Sequence, residues 1–320
     1  MIHTPLTRDW GLRYPIIGAP MAGAADGRLA AAVSSAGGLG MIGIGSQASN
    51  GFIHEQAAVA RQGGKFGLGL MVWALADRPE LLEAAVAARP NLLSLSFGDP
   101  TPYVPVCHAA GIPVAVQVHS QAEARQAERA GVDLIVAQGT EAGGHTGAVA
   151  TLPLLQVVLD TVSVPVVAAG GIATPQGLAA VLAAGAAGAW IGTALLASPE
   201  AAHNATAQAR LLAADETETL LTHVFDCVQG LAWPEEYPGR ALRNDFAARW
   251  HGQEETLMRS EQAIEEFHQG RGDYSVGFIY AGQSVGLVRQ VRPAADVIST
   301  LGEAAEQWLS RRLTILSGQD

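Results

Sequence analysis

The segment PVVAAGGIATPQGLAAVLAAGAAGAWIGT (Pro165–Thr193) decides the fold. No charged residue occurs between Asp160 and Glu200, so the composition alone is also that of a membrane span. Glycines and Pro175 nevertheless divide the segment into pieces of strand and helix length. We therefore interpret it as a buried unit with a strand at Pro165–Ala169, a helix at Pro175–Ala184 and a strand at Ala189–Gly192.

The same alternation of β-branched runs with Ala-rich stretches extends towards the N-terminus. Parallel strands joined by crossover helices produce this pattern, and eight such units fit an α/β fold of the TIM (β/α)8 barrel type. The other predicted strands are Pro15–Ala19, Leu39–Ile42, Phe66–Leu70, Leu92–Ser96, Pro113–Val118 and Leu134–Gln138. The other predicted helices are Arg28–Ala36, Phe52–Gln62, Pro79–Ala88, Tyr103–Ala110, Gln121–Ala130 and Leu152–Val162.

The alternation stops after Leu196, and the chain from about His203 to Gln269 is more polar. Charges at helical spacing predict a mainly helical insertion over the carboxyl-end face of the barrel. We expect residues 1–200 and 285–320 to form the barrel and residues 201–284 to form a subdomain that covers the substrate. Because the Pro175–Ala184 helix has no polar stripe, we also expect it to be buried on nearly all sides, so that Ala180→Glu would destabilise the fold.

Composition limits the partners of the protein. The 320-residue chain is 49% hydrophobic, which is ample for a large core, and its net charge of -11 disfavours nucleic-acid and anionic-membrane partners. Two cysteines give neither a disulfide framework nor a metal-binding pattern, so no metal is expected. The N-terminus lacks the features of a signal peptide, and we expect a cytoplasmic protein.

Two glycine-containing loops follow the last two predicted strands. They carry Gly170-Gly171 and Gly192-Thr193. In TIM barrels the loops after these strands commonly hold a phosphate through backbone N–H groups. The pairing predicts a phosphate site for a flavin mononucleotide (FMN), a sugar phosphate or a nucleotide, and the fold does not choose among them.

A third glycine-rich loop, QGTEAGGHTG (Gln138–Gly147), closes the sixth predicted strand and carries His145. Its glycines allow a backbone to approach a ligand closely, so the histidine can face a bound molecule. Taken alone, the loop could equally hold a solvated histidine. For the other eight histidines, His119 among them, we expect surface or core roles.

The motifs PIIGAPMAG, VAQGTEAGGHTG, PVVAAGGI, WIGT and AGQ, in this order over nearly the whole chain, resemble those of the nitronate monooxygenase family. That family also contains flavin-type enoyl-ACP reductases and NAD(P)H:quinone reductases. The resemblance implies a TIM barrel that binds FMN non-covalently, with the family's catalytic histidine at His145. It places the cofactor-binding residues at Pro20, Met21, Gly69, Gln117, Gln138, Gly143, Gly144, Gly170, Gly171, Trp190, Ile191, Gly192, Thr193 and Gln283.

Two of these positions depart from the family's pattern. Gly69 stands where many members have an asparagine, and Gln117 stands where some have a lysine. A neutral amide stabilises negative charge on reduced flavin less than an ammonium group does.

The resemblance implies an oxidoreductase that oxidises alkyl nitronates with O2, with His145 as general base or anion-binding group. The alternative is an FMN-dependent NAD(P)H reductase of a quinone or an enoyl thioester, in which His145 donates a proton. A flavin-free aldolase or isomerase is a third possibility, although the only lysine, Lys65, precedes a strand. A catalytically silent flavin-binding protein is the fourth. We expect a small-molecule substrate, a nitronate or a nitroalkane, together with O2, and a homodimer is the assembly we consider.

Overall fold

The computed structural model describes residues 2–270 and 272–317. The described residues form eleven strands, numbered in chain order. These are β1 (Ile16–Gly18), β2 (Gly40–Gly43), β3 (Phe66–Met71), β4 (Leu92–Ser96), β5 (Val114–Val118), β6 (Leu134–Gln138), β7 (Gly144–His145), β8 (Val166–Ala169), β9 (Gly188–Ile191), β10 (Thr219–Thr222) and β11 (Gly239–Leu242).

Eight of the strands form one parallel sheet in the order β1-β9-β8-β6-β5-β4-β3-β2. Its two ends meet through Leu39, whose carbonyl accepts from Gly18 N at 2.9 Å and whose N–H donates to Ile16 O at 3.0 Å. The sheet is therefore a TIM barrel, which confirms the predicted fold class. Every predicted barrel strand is present, with ends shifted by at most two residues.

Fifteen α-helices accompany the strands in the described chain. They are α1 (Pro5–Arg8), α2 (Gly27–Ser35), α3 (Asn50–Ala60), α4 (Val72–Leu75), α5 (Glu80–Ala87), α6 (Val104–Ala109), α7 (Gln121–Ala130), α8 (Thr151–Leu159), α9 (Pro175–Ala183), α10 (Ala205–Ala213), α11 (Val224–Val228), α12 (Asp245–Trp250), α13 (Glu254–Leu257), α14 (Glu261–Gln269) and α15 (Ala294–Ser317). Short 3-10 helices occur at Arg61–Gly63, Thr193–Leu195 and Gln283–Leu287.

The core has an inner and an outer layer. Inside the barrel, Ile17, Leu39, Val136 and Trp190 pack together, and Leu6 of α1 closes the amino-terminal end of this cluster. Between the strands and the surrounding helices lies a larger apolar layer that includes Ile16, Leu68, Leu95, Ile135 and Ile191. Side chains alternate along a strand, so neighbouring residues belong to different layers. The carboxyl end of the barrel stays open for a ligand.

The mainly helical insertion is confirmed, and it also contains a small sheet. Strands β10 and β11 pair antiparallel, and β11 pairs in turn with β7, which contains His145. The insertion therefore binds directly to the histidine loop at the carboxyl-end face. The subdomain boundaries at residues 201 and 284 stay a prediction.

The uncharged helix α9 is only half covered. It packs against the C-terminal helix α15 as well as against the barrel. Leu178 and Ala179 are buried, but Gln176, Ala180 and Ala183 are exposed. The expectation that α9 is buried on nearly all sides is therefore wrong. Small alanines can cover a solvent-facing stripe without any charge, and hydropathy alone cannot tell this stripe from a buried one.

A matched pair of substitutions measures this one-sided burial. Ala179→Glu places an unpaired carboxylate in the core and should destabilise the protein by on the order of 3 kcal/mol, whereas Ala180→Glu should change stability by less than about 0.5 kcal/mol. Urea unfolding of both variants gives the two values. Equal values would show that the exposed face of α9 is covered in solution.

No described helix is both long and apolar enough to cross a bilayer. The uncharged segment before Glu200 is instead divided among β8, α9 and β9, as predicted.

Candidate active site

A cavity of about 600 Å³ opens at the carboxyl ends of the barrel strands. Its size lies within the range of small-molecule and cofactor sites. Barrel loops form one side, and residues of the insertion, including Trp233 and Tyr280, form the other. The predicted site residues found in its lining are Pro20, Met21, Gly69, Gln117, Gln138, Gly143, Gly144, His145, Gly170, Gly171, Trp190, Gly192 and Thr193.

Two predicted site residues lie outside the lining. Ile191 is fully buried in the layer between strands and helices, because its neighbour Trp190 takes the inward-facing position on β9. Gln283 is exposed at the start of a 3-10 helix, and Ser284 lines the cavity in its place. The run of motif letters could not distinguish the inward and outward positions.

The loops after β8 and β9 present unpaired backbone N–H groups to the cavity. Gly170 and Gly171 have φ angles of 104° and 73°, a conformation that favours glycine. Within the described chain, the N–H groups of Gly170, Gly171 and Gly192 donate to no protein acceptor. Thr193 Oγ1 accepts from Gly282 N at 2.9 Å, which leaves its hydroxyl proton free to donate. Unpaired N–H groups lining a cavity suit a phosphate.

The histidine loop is held on two sides, by the barrel and by the insertion. Glu141 Oε1 accepts from Thr151 N at the first turn of α8. Arg240 Nε, on β11, donates to the Thr140 carbonyl at 2.7 Å. The loop is therefore held between the barrel and the insertion.

His145 is oriented by Asp226 of α11. His145 Nε2 lies 2.9 Å from Asp226 Oδ1, and the two residues are 8% and 3% exposed. A carboxylate only accepts hydrogen bonds, so the neutral imidazole carries its proton on Nε2 and its lone pair on Nδ1. Nδ1 has no hydrogen-bond partner among the described residues. The Tyr280 hydroxyl donates to the same carboxylate oxygen at 3.3 Å.

Burial favours the neutral form of this imidazole. Removal from water lowers the pKa of His145; Asp226 partly opposes that effect by hydrogen bonding and charge, and His223 adds to it. The net direction is below the ordinary value of about 6.5. The Trp233 indole stacks on the imidazole with ring centres 3.3 Å apart and planes 5° apart. The site therefore holds a neutral imidazole in one orientation.

Comparison with known proteins identifies the family. The sequence profile described as nitronate monooxygenase matches residues 79–304. A nitronate monooxygenase of Pseudomonas aeruginosa is 32% identical, and the match covers 93% of this chain and 97% of that protein. The chain belongs to the nitronate monooxygenase family. Membership makes it an oxidoreductase and implies a flavoprotein.

Solved structures related to this nitronate monooxygenase family member share its fold. FabK from Thermotoga maritima superposes with a TM-score of 0.85 at 30% identity, and each chain is covered completely. Nitroalkane oxidase from Streptomyces ansochromogenes gives a TM-score of 0.79 at 28% identity, with 94% of this chain and 98% of that chain covered. The shared architecture does not by itself assign a substrate.

Two features of the cavity bear on the departures from the family's pattern. At Gly69, an added Cβ would lie 2.5 Å from Pro20 Cβ, so Pro20 occupies the space that a side chain would need. None of the described residues that line the cavity is Lys, Arg, Asp or Glu. Its ionisable groups are His145, His203, Tyr274 and Tyr280. The wall therefore offers backbone dipoles and neutral side chains rather than fixed charge.

Sequence reasoning missed the partners of His145 in this family member. Asp226, Trp233, Phe97 and Tyr280 come from segments distant in sequence from the histidine loop. Phe97 has a φ angle of 64°, a conformation uncommon outside glycine, and its ring meets Trp233 edge-on. No local pattern around these residues indicates that they converge on one imidazole.

Proposed function

We propose that the protein is an FMN-dependent nitronate monooxygenase that oxidises alkyl nitronates with O2. The observation that carries the proposal is the geometry of His145: Asp226 holds its Nε2, and its Nδ1 has no partner among the described residues in a cavity that also presents unpaired backbone N–H groups. Such an imidazole is suited to take a proton from the carbon next to a nitro group. A cytoplasmic location and a homodimer stay predictions.

The cavity residues fit FMN. The N–H groups of Gly170, Gly171 and Gly192 and the Thr193 hydroxyl would hold its phosphate without any lysine or arginine. Pro20, Met21 and the amides of Gln117 and Gln138 would contact its ring system. When bound, FMN would supply the redox chemistry that links oxidation of the nitronate to reduction of O2.

The protein's own part in the reaction is proton transfer and binding. His145 Nδ1 takes the α-proton of a neutral nitroalkane, which becomes a nitronate anion. The resulting imidazolium donates its Nε2–H to the Asp226 carboxylate and lies beside the anion that proton transfer has formed. A nitronate supplied ready-made needs no base, so His145 then serves only to bind it.

The charge-free lining favours this reaction over the reductase alternative. FabK from Thermotoga maritima, which superposes with a TM-score of 0.85, keeps that alternative open. A pyrophosphate-containing nicotinamide cofactor or an acidic carrier protein would gain from Lys or Arg at the cavity, whereas the described lining has neither and the chain carries a charge of -11. A small substrate of low charge is the better match.

Oxygen consumption tests the proposal. Ethyl nitronate in air-saturated buffer should drive O2 uptake by the purified flavoprotein, with no requirement for NADH or NADPH. Uptake that appears only after a nicotinamide cofactor is added would support the reductase instead.

Substituting Asp226 with Asn tests how His145 is held. The amide can donate or accept, so the imidazole is no longer confined to one tautomer, and turnover of neutral nitroalkanes should fall roughly 10- to 100-fold. The pKa of His145 should also fall, because the carboxylate's hydrogen bond and charge raise it.

The expected pH dependence of nitroalkane turnover follows from this fall in the pKa of His145. A general base is active when deprotonated, so activity is lost as pH falls through its pKa. In the parent enzyme this acid limb should lie below the usual histidine value of about 6.5, and in Asp226→Asn it should move to still lower pH. A limb that moves to higher pH would contradict the proposed pairing, and turnover of ready-made nitronate provides the internal control.

A further inference from the structure

His119, which follows β5 directly, is a buried histidine that the proposed reaction does not use. Its side chain is 3% exposed. Nδ1 lies 3.0 Å from Glu123 Oε2, and Nε2 lies 2.9 Å from Gln138 Oε1. Gln138 Oε1 also accepts from Gln117 Nε2 at 2.8 Å. These four residues form one hydrogen-bonded series, the Glu123–Gln117 chain, which runs from a partly exposed carboxylate to the cavity wall.

With the two amides oriented as they are, the donors and acceptors of the Glu123–Gln117 chain match a doubly protonated imidazole. Gln138 Oε1 is a carbonyl oxygen and only accepts, so His119 Nε2 must donate to it. The Glu123 carboxylate also only accepts, so Nδ1 must donate as well. The observed arrangement is therefore complete when both ring nitrogens carry protons, that is, when His119 is an imidazolium paired with Glu123.

A neutral His119 would reverse the arrangement. With its proton on Nδ1 towards Glu123, the Nε2 lone pair would need a donor, which the Gln138 amide supplies only after rotating by half a turn. Gln117 would then rotate too, in order to offer its carbonyl to the Gln138 N–H. The donor and the acceptor that these two amides present to the cavity would exchange places.

The two amide groups at the inner end of the Glu123–Gln117 chain face the cavity. Gln117 and Gln138 both line it, and within the described part of the protein neither Gln138 Nε2 nor Gln117 Oε1 has another hydrogen-bond partner. No described lining residue is Lys or Arg, so an imidazolium one hydrogen bond behind the wall would turn the positive end of the His119–Glu123 pair towards the cavity.

The surroundings of His119 support the ion pair. Burial raises the pKa of Glu123, but hydrogen bonds and charge from His119, together with Ser120 and the backbone, outweigh it and hold that pKa below its usual value. Phe97 stacks on the imidazole at 5.7 Å between ring centres, and the Tyr237 ring lies at 4.9 Å. Burial and the nearby carboxylates raise the pKa of Tyr237 far above its usual value, so its hydroxyl stays neutral. Glu123 and Tyr237 are the titratable groups with described contacts to His119.

We propose that His119 is a positioning residue for the flavin: as an imidazolium paired with Glu123, it orients Gln138 and Gln117 towards the cofactor and places a positive charge behind them. This imidazolium provides part of the stabilisation of reduced flavin that a lysine at position 117 would provide. Positive charge near the ring favours the reduced, more anionic cofactor and so raises its reduction potential. This inference rests on the flavin binding proposed above.

The test is the redox equilibrium of the flavin in purified His119→Gln holoenzyme. Glutamine can still donate to Gln138 Oε1 but carries no charge. At a fixed potential and pH 7, the ratio of reduced to oxidised flavin should fall on the order of tenfold relative to the parent, or about 30 mV for a two-electron couple. An unchanged ratio with flavin fully bound would overturn the inference.

His108→Gln is the matched control. His108 Nε2 contacts Asp133 Oδ2 at 2.9 Å, also a histidine–carboxylate pair, but both side chains are about 40% exposed and neither lines the cavity. This variant should leave the ratio unchanged. An equal fall in both variants would show that the effect is not specific to His119 and would also overturn the inference.

A second measurement does not depend on the variant's folding or on bound flavin. Nitrogen-15 NMR of histidine-labelled parent protein at pH 7 should show both ring nitrogens of His119 protonated. A single protonated nitrogen would contradict the proposed ion pair. The visible spectrum of the same sample reports flavin binding separately, so a failure of the proposed function is distinguishable from a failure of this inference.

Discussion

Replacing His145 with Ala is expected to slow turnover of neutral nitroalkanes by about 10²- to 10⁴-fold, the usual contribution of a positioned general base. Ready-made nitronates should lose much less, because their proton has already been removed. The comparison of kcat/KM for a nitroalkane with that for its own nitronate therefore isolates proton abstraction from binding. Flavin content should stay near that of the parent, since the N–H groups proposed to hold the phosphate belong to other residues.

His203→Ala is the matched control for this substitution. His203 lines the same cavity, and burial lowers its pKa as it does for His145, but it has no carboxylate partner among the described residues. It should affect the two substrates about equally. If His145→Ala slows nitroalkane and nitronate by the same factor with flavin still bound, His145 is an anion-binding or positioning group and not the base.

Gly192→Val is expected to produce folded protein without flavin. Gly192 has a φ angle of -110°, which valine tolerates, and an added Cβ would meet Met21 Sδ at 3.4 Å and Ala19 Cβ at 3.5 Å. The backbone therefore accepts a side chain, while the valine methyl groups would extend beside N–H groups meant for the phosphate. The ratio of visible flavin absorbance to protein absorbance should fall close to zero.

Gly171→Val is a poorer test of the same idea. Its φ angle of 73° strains any larger residue, and the added Cβ would lie 2.6 Å from Glu141 Oε2. Loss of flavin could then follow from local misfolding. Gly51→Val, at an exposed position of α3 where an added Cβ would meet Ser49 Oγ at 3.8 Å, is a suitable control that should keep its flavin. Full flavin occupancy in Gly192→Val would exclude the assigned phosphate site.

The barrel could be predicted because the sequence signals for its strands and turns are local. Each strand is an apolar run, and Gly37, Gly111, Gly131 and Gly185, at the turns that lead into strands, all take positive φ angles. The short helix α1 was not predicted, because four residues are too few to show helical periodicity. The exposed face of α9 escaped notice because alanine is compatible with core and surface alike.

The site was predictable only where the barrel brings consecutive loops together. The glycines after β8 and β9 must meet at one face because parallel strands share a direction. Asp226 instead reaches His145 from 81 residues away, through the pairing of β11 with β7. That pairing depends on how the insertion folds back, and neither spacing nor composition encodes it.

Anaerobic mixing of the purified protein with ethyl nitronate and, separately, with NADH or NADPH tests the central claim most directly. Without O2 the electrons remain on the cofactor, so its visible absorbance reports which donor it accepts. We expect ethyl nitronate to bleach the flavin within the time of turnover and both nicotinamide cofactors to leave it oxidised. Rapid bleaching by NADH or NADPH, with none by the nitronate, would contradict the account and establish the reductase reaction.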